Sequence, residues 1–274
     1  MRRRAHVRRR IQEKGSGPLA SLRARAYLAK SRSCEDASIR SGRYNASNKH
    51  KIEIKLIQWY IVRTTGSMEI SLQKEKLPSQ VPLPLYTSIS IGKAVSKTGE
   101  EFTLVIGLDK ATVRELKTHS LDIADVDLHN NTSDRERFGH GSYEAWYKKN
   151  RVPFALIHSP SNQLACLMWF GPKPLGRKSL KHLSESEKER ENEVVPAGEW
   201  HTVTYRTYAP FRGQGLMKEF AKNAKEIYKR YNPNAKIWAG INANNPGSIA
   251  VAEKLGLKKD TTFSDENWIA MVEA

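Results

Sequence analysis

The chain has 274 residues, 39% of them hydrophobic, which suffices for one large or two small domains with a sizeable core. Its formal net charge is +17, yet residues 1–67 alone hold 17 Lys/Arg against 4 Asp/Glu, so the basic character belongs to the first quarter. No run approaches the ~18 apolar residues of a membrane span, and Cys34 and Cys166 fall in unlike contexts, which argues against a disulfide and for a reducing, cytoplasmic setting.

Residues 1–67 read as a mostly disordered leader. They open on Met1 and three arginines, continue through Arg8, Arg9, Arg10, Arg23 and Arg25, and place few large apolar residues before Ile52. Such an arm neutralises phosphates with little sequence selectivity, so weak contact with RNA or ribosomes is one reading. The same wealth of Arg and Ser with few acids also suits an organelle-targeting peptide. A third reading starts the native protein at Met68, because the pattern that follows needs nothing before it.

Pro78, Pro82 and Pro84 make residues 68–100 an extended linker or edge segment, with a catalytic domain expected over 101–274. Residues 102–106 read as a first strand. Residues 110–119, with Val113 and Leu116 on one face, read as a helix, and residues 143–147 as a second. Between them Asp125, Asp127, His129 and Glu136 match the first, third, fifth and twelfth places of a calcium loop. Asn130 stands where the turn needs glycine, however, and Val126 and Leu128 are apolar, so no metal site is expected.

Residues 154–157 and 164–170 form a hairpin around Ser159, Pro160 and Asn162. Residues 171–198, rich in Lys, Glu and Ser, exceed an ordinary hairpin loop and read as a charged insertion, either a cover for an acceptor site or a solvated excursion. The run 200–208 is rich in β-branched and aromatic residues. A glycine turn, Arg212, Gly213, Gln214, Gly215, then leads into a helix with Leu216, Phe220, Ala224, Ile227 and Tyr231 on one face. Glycine lets the backbone turn sharply and approach a ligand, and the unpaired N–H groups of a helix start attract an anion. A strand over 235–241 follows. Then comes a helix that Asn244 or Asn245 caps, that Pro246 opens and that Gly256 ends, and residues 267–272 give a final strand.

Two of these segments together resemble the GNAT superfamily of N-acetyltransferases. Arg212, Gly213, Gln214, Gly215 and Leu216 match the family's Arg/Gln-x-x-Gly-x-Gly/Ala loop, with Met217 where Gly or Ala is usual. Asn245, Ser248, Ile249, Glu253, Lys254, Leu255, Gly256 and Leu257 match its later Asn-x-x-Ala/Ser-Ile and Glu-Lys-Leu-Gly pattern. The resemblance implies an α/β (α+β) three-layer fold, a mixed central sheet with splayed fourth and fifth strands and helices on both faces. It implies transfer of an acetyl group from acetyl-CoA to a primary amine of a small molecule or protein, by direct attack in a ternary complex.

On that reading Arg212 to Met217 grip the pyrophosphate, main-chain groups of Tyr205 and Thr207 bind the pantetheine arm, and Asn245 and Ser248 belong to the coenzyme site. Many members carry a tyrosine, the acid for the leaving thiolate, where this chain has Ala252. Glu199 and His201 are the candidate general bases at the start of the fourth strand, and Tyr205 or Tyr208 the substitute acids. Arg206 is expected to meet an acidic acceptor or a CoA phosphate, or to sit as an edge charge. Trp238, Trp146 and Trp169 are expected to be packing residues, with Trp146 the one best placed to line a pocket. The alternative is a GNAT-like domain without catalysis, binding CoA or associating with RNA or ribosomes through its arm. Many relatives pair as dimers, which leaves a homodimer open here.

Overall fold

A computed structural model describes residues 67–178 and 197–274, all within one compact unit, Tyr60–Ala274. The expected leader and most of the expected insertion lie outside the described residues. Nine strands form one sheet: β1 (Glu69–Leu72), β2 (Ile89–Val95), β3 (Glu101–Ile106), β4 (Val152–His158), β5 (Gln163–Pro172), β6 (Trp200–Thr207), β7 (Lys236–Asn242), β8 (Leu257–Asp260) and β9 (Trp268–Glu273). Their order across the sheet is β1-β2-β3-β4-β5-β6-β7-β9-β8, and every neighbouring pair is antiparallel except β6 and β7.

The period of two along each strand sorts side chains onto the two faces. Phe102, Leu104 and Ile106 of β3, with Phe154 and Leu156 of β4 and Val203 of β6, turn to one side. They meet α4 (Leu216–Tyr231) and α5 (Pro246–Lys254), whose Phe220, Ala224, Ile227 and Val251 complete that core. Val105, Ala155, Leu167 and Trp169 turn to the other side, under α1 (Lys110–Leu121), α2 (Val126–Asn131), a five-residue π-helical turn (Arg135–Gly139) and α3 (Tyr143–Tyr147). The result is the expected three-layer α/β fold.

The helix starts are specified locally. Asp109 accepts from the Thr112 amide at 2.8 Å, Ser142 from the Ala145 amide at 3.1 Å and Asn245 from the Ser248 amide at 3.0 Å. Each supplies an acceptor to a donor that has no partner in its own helix. Pro246 occupies the first turn of α5, and Gly256, at φ 79°, stands just beyond its last turn.

Residues 68–100 are more than a linker. The prolines interrupt them, but the ends form β1 and β2, which extend the sheet beyond β3 and bury Met68, Leu83, Ile91 and Ala94 in the larger core. The strands expected fourth and fifth are therefore β6 and β7. Three other elements escape the sequence pattern: α2, the π-helical turn, and β8, an edge strand with only Leu257 buried and two lysines facing solvent. The residues weighed as a calcium loop fall on α2 and the π-helical turn instead. Among the described residues no group of three or more His, Cys, Asp or Glu is placed to hold a metal ion, and no helix is long and apolar enough to cross a membrane.

Candidate active site

The parallel pair β6 and β7 stays joined for three residues only, Trp200 to Thr202 against Lys236 to Trp238. β6 continues to Thr207 and β7 to Asn242 without further pairing. The side of β6 that faces this opening follows from its other neighbour. The Tyr208 amide bonds the Ala165 carbonyl at 2.9 Å, so even-numbered residues exchange bonds with β5 and odd-numbered ones look the other way. The main-chain groups of Tyr205 and Thr207 thus face the gap. Their carbonyls take side chains, Arg206 Nη1 at 3.2 Å and Arg212 Nε at 2.9 Å, while beyond Thr202 no strand stands opposite their amides.

A cleft of about 350 Å³ occupies the gap, lined by Tyr205 and Thr207 from β6, by Ala239 and Ile241 from β7, and by Gly213, Met217, Asn245 and Ser248 from the two helix starts. Gly213 and Gly215 adopt φ of 76° and 75°, a left-handed conformation that strains other residues, and a Cβ on either would meet nothing within 4 Å. The loop is open on its outer side, and no side chain caps α4. Its first amides, from Leu216 and Met217 onward, have no partner in their own helix and sit at the positive end of the helix dipole. A helix start of this kind can hold an anion, and the residues present fit a diphosphate carried by an extended chain.

Arg212 does not reach into the cleft as a free cation. Its guanidinium grips Asp125, the cap of α2, at 2.6 and 2.7 Å, and so ties the loop to the opposite layer. The Tyr205 hydroxyl, within the cleft wall, donates to the Ser248 carbonyl at 2.6 Å, and burial raises its pKa above the ordinary tyrosine range. Ala252 is fully buried against the larger core.

Of the four residues nominated for proton transfer, Tyr205 lines the cleft and the other three do not. Glu199 stands in a turn, half exposed, paired with Lys236 at 2.6 Å. His201 turns toward α4, where its Nδ1 meets the Tyr228 hydroxyl at 2.5 Å; burial, with Arg151 and Lys229 nearby, pulls its pKa below the ordinary value. Tyr208 is wholly buried, stacks on His119 with centroids 4.4 Å apart, and keeps a hydroxyl without a partner among the described residues. Both strand residues follow the period of two into a core, and Glu199 precedes the strand altogether.

Thr202 and Thr204 of β6 also line a second, larger cavity of about 1070 Å³ under α2 and α3. Trp146 and Trp169 form part of its wall, together with His129, Glu136 and several cations. Arg206, buried under this wall, neither reaches solvent nor marks an edge. It pairs twice with buried Asp134 and lies over Trp169 at 4.5 Å from the ring centre. Sequence reasoning missed Asp134 and Arg151, since nothing in their local pattern separates them from surface charges.

The model of a family described as acetyltransferase (GNAT) domain matches residues 113–258, more than half of the chain. Among solved structures, the GNAT domain of S. lividans PAT is similar at 10% identity and a TM-score of 0.45, over 66% of this chain and 94% of that one. The ribosomal-protein-S5-alanine acetyltransferase of Vibrio fischeri is similar at 12% identity and a TM-score of 0.43, over 62% and 92%. A spermidine N-acetyltransferase chimera from Vibrio cholerae shares 14% identity at a TM-score of 0.40, over 62% and 94%. No curated protein matches the chain.

Proposed function

The chain belongs to the GNAT family and is an N-acetyltransferase, and from that premise we propose that it transfers the acetyl group of acetyl-CoA directly to an amine held in the larger cavity. The observation that carries the assignment of sites is the opening of β6 from β7 beside an uncapped glycine-lined helix start. The amides at the start of α4 hold the diphosphate. The amide of Thr207 pairs with the pantetheine arm as a strand would, which brings the thioester to the wall that the cleft and the cavity share at Thr202 and Thr204.

A thioester is already reactive, so holding amine and thioester in register supplies a large part of the acceleration. An amide of β6 facing the gap, that of Tyr205, stabilises the tetrahedral oxyanion. The Tyr205 hydroxyl returns a proton to the departing thiolate, a task Ala252 cannot perform. His129 and Glu136, which line the cavity, accept the proton that the amine loses, directly or through water.

Calorimetry of the full chain with acetyl-CoA, followed by a free-thiol assay over a panel of amines, tests this reading. Stoichiometric binding and amine-dependent thiol release are the expected results. Absence of binding at millimolar acetyl-CoA rejects the reading.

A further inference from the structure

The cavity beyond the shared wall is strongly cationic. Arg135, Arg137, Lys149 and Arg151 line it together with three further cations at its Pro172 to Lys178 side, and Glu136 is the one carboxylate among the described lining residues. Arg135, Lys149 and Arg151 form no ion pair among the described residues, whereas Lys178 is answered by Asp265 at 2.7 Å. Behind the wall a single buried carboxylate, Asp134, serves both Arg137 and Arg206 and so neutralises one of the two. Among the described residues Arg151 donates to the Pro172 carbonyl, at 3.1 Å. Burial and the neighbouring Arg137 lower its pKa to about 10, which leaves it charged at neutral pH.

The aromatic wall does not offset this. Stacked rings attract ammonium groups when their faces are open, but resident guanidinium groups already sit near Trp169, Arg206 at 4.5 Å and Arg137 at 5.5 Å from its centre. A polycation entering here meets like charge in a concave, partly desolvated space, where repulsion is least screened. An acceptor with carboxylates meets the reverse. The coenzyme diphosphate does not account for Arg135, Lys149 and Arg151, which line the cavity and not the cleft, because its cradle lies past Thr207, at the opposite end of β6 from Pro172 and Arg151.

Resting on the acetyl-transfer reading above, we propose that the acceptor is the amino-terminal amine of an acidic peptide, with carboxylate side chains in the first residues after that amine. The size favours a peptide, since about 1070 Å³ is at or beyond the upper end of ordinary small-molecule pockets, roughly 300–1,000 Å³. The charge favours an α-amine. Cations around the nucleophile disfavour its protonated form, and an α-amine at an ordinary pKa of about 8 is the amine most readily delivered neutral. The cation wall thus selects the acceptor and lightens the demand on a general base.

The test uses the full chain, acetyl-CoA and hexapeptides that share a free N-terminal alanine and carry Glu, Gln or Lys at the second to fourth positions, with spermidine and free glutamate as further arms. The expected kcat/KM falls from Glu to Gln to Lys by about tenfold or more per step, with the spread shrinking as salt rises from about 0.05 to 0.5 M. Free glutamate trails the Glu peptide. Lys149→Gln, at an exposed site, and Arg151→Gln lower kcat/KM for the Glu peptide severalfold through KM, and by a clearly larger factor than for the Gln peptide. Lys peptide or spermidine turned over as well as the Glu peptide overturns the proposal, and free glutamate outperforming the peptide overturns its peptide part. Fluorescence anisotropy of labelled Glu and Lys peptides reads the preference without turnover, and equal binding there also overturns it. Failure to bind acetyl-CoA would instead count against the acetyl-transfer reading alone.

Discussion

The guanidinium of Arg212 holds the carboxylate of Asp125 at two points, Nη1 to Oδ1 at 2.7 Å and Nη2 to Oδ2 at 2.6 Å, while its Nε donates to the Thr207 carbonyl at 2.9 Å. One side chain therefore joins the glycine loop, the open end of β6 and the cap of α2. Asp125 is substantially buried and Arg212 about two-thirds so, which makes the pair worth more than a surface ion pair.

Asp125→Asn keeps a good cap for α2 and removes the charge, so it isolates the ion pair. We expect a loss of about 1–3 kcal/mol of stability, read as a lower midpoint of denaturant unfolding, and weaker acetyl-CoA binding by calorimetry because the loop loses its tether. Burial alone would raise the Asp125 pKa, but the Arg212 bonds and the Leu128 amide outweigh it and leave it below 3.8. A carboxyl with a depressed pKa in the folded state stabilises fully above its unfolded value and loses that contribution as pH falls through the folded one. The stability gap between wild type and Asp125→Asn should then be constant near neutrality and close below about pH 4. A gap that persists unchanged into acid would show that the charge is not its source.

The glycine loop offers a separation of stability from binding. At φ near 75° any other residue costs about 1–2 kcal/mol in backbone strain, yet a Cβ at Gly213 or Gly215 meets no protein atom within 4 Å. Gly213→Val and Gly215→Val should therefore stay folded, by circular dichroism and thermal melting, while calorimetry shows acetyl-CoA binding lost. Retained binding would place the diphosphate elsewhere.

Tyr205 carries the proposed acid. Tyr205→Phe removes one hydroxyl and its bond to the Ser248 carbonyl, at 2.6 Å, but leaves the main-chain amides that face the coenzyme. The expected outcome is a fall in kcat of about 10²-fold with the Kd for acetyl-CoA within a factor of three of wild type. Equal kcat for the two proteins would mean that the thiolate leaves unprotonated or takes its proton from water.

The legibility of the chain followed the range over which each signal acts. Period-two and three-to-four patterns, caps such as Asn245 and the paired glycines are local, and they located β6, β7, α4 and α5 to within a residue or two. The opening between β6 and β7 was an implication of family likeness, and the strand pairing now carries it. What escaped was decided across the chain. Asp134 is buried where Arg206, 72 residues away, meets it together with Arg137, and β8 exists only because β9 offers an edge. The proton-transfer candidates suffered from the same limit, since proximity to a strand start does not say which face a side chain takes.

His201 and Glu199 supply the last expectation, and it is one of indifference in catalysis. Glu199 is half exposed on a turn with Lys236, and His201 faces α4 rather than the cleft. Glu199→Gln and His201→Gln should each keep kcat/KM within about twofold of wild type. His201 should still show in stability. Burial first, then Arg151 and Lys229, lower its pKa in the folded state, so the unfolded chain binds more protons once pH drops toward the ordinary value of 6.5. The contribution of neutral His201 is complete above that value and is lost as pH falls from there through the folded pKa. The thermal midpoint of wild type should thus decline between about pH 7 and pH 5, and His201→Gln should flatten part of that decline. A His201→Gln protein with an unchanged pH slope would show that the imidazole is not held neutral against Tyr228, and one with kcat/KM reduced a hundredfold would restore His201 to the chemistry.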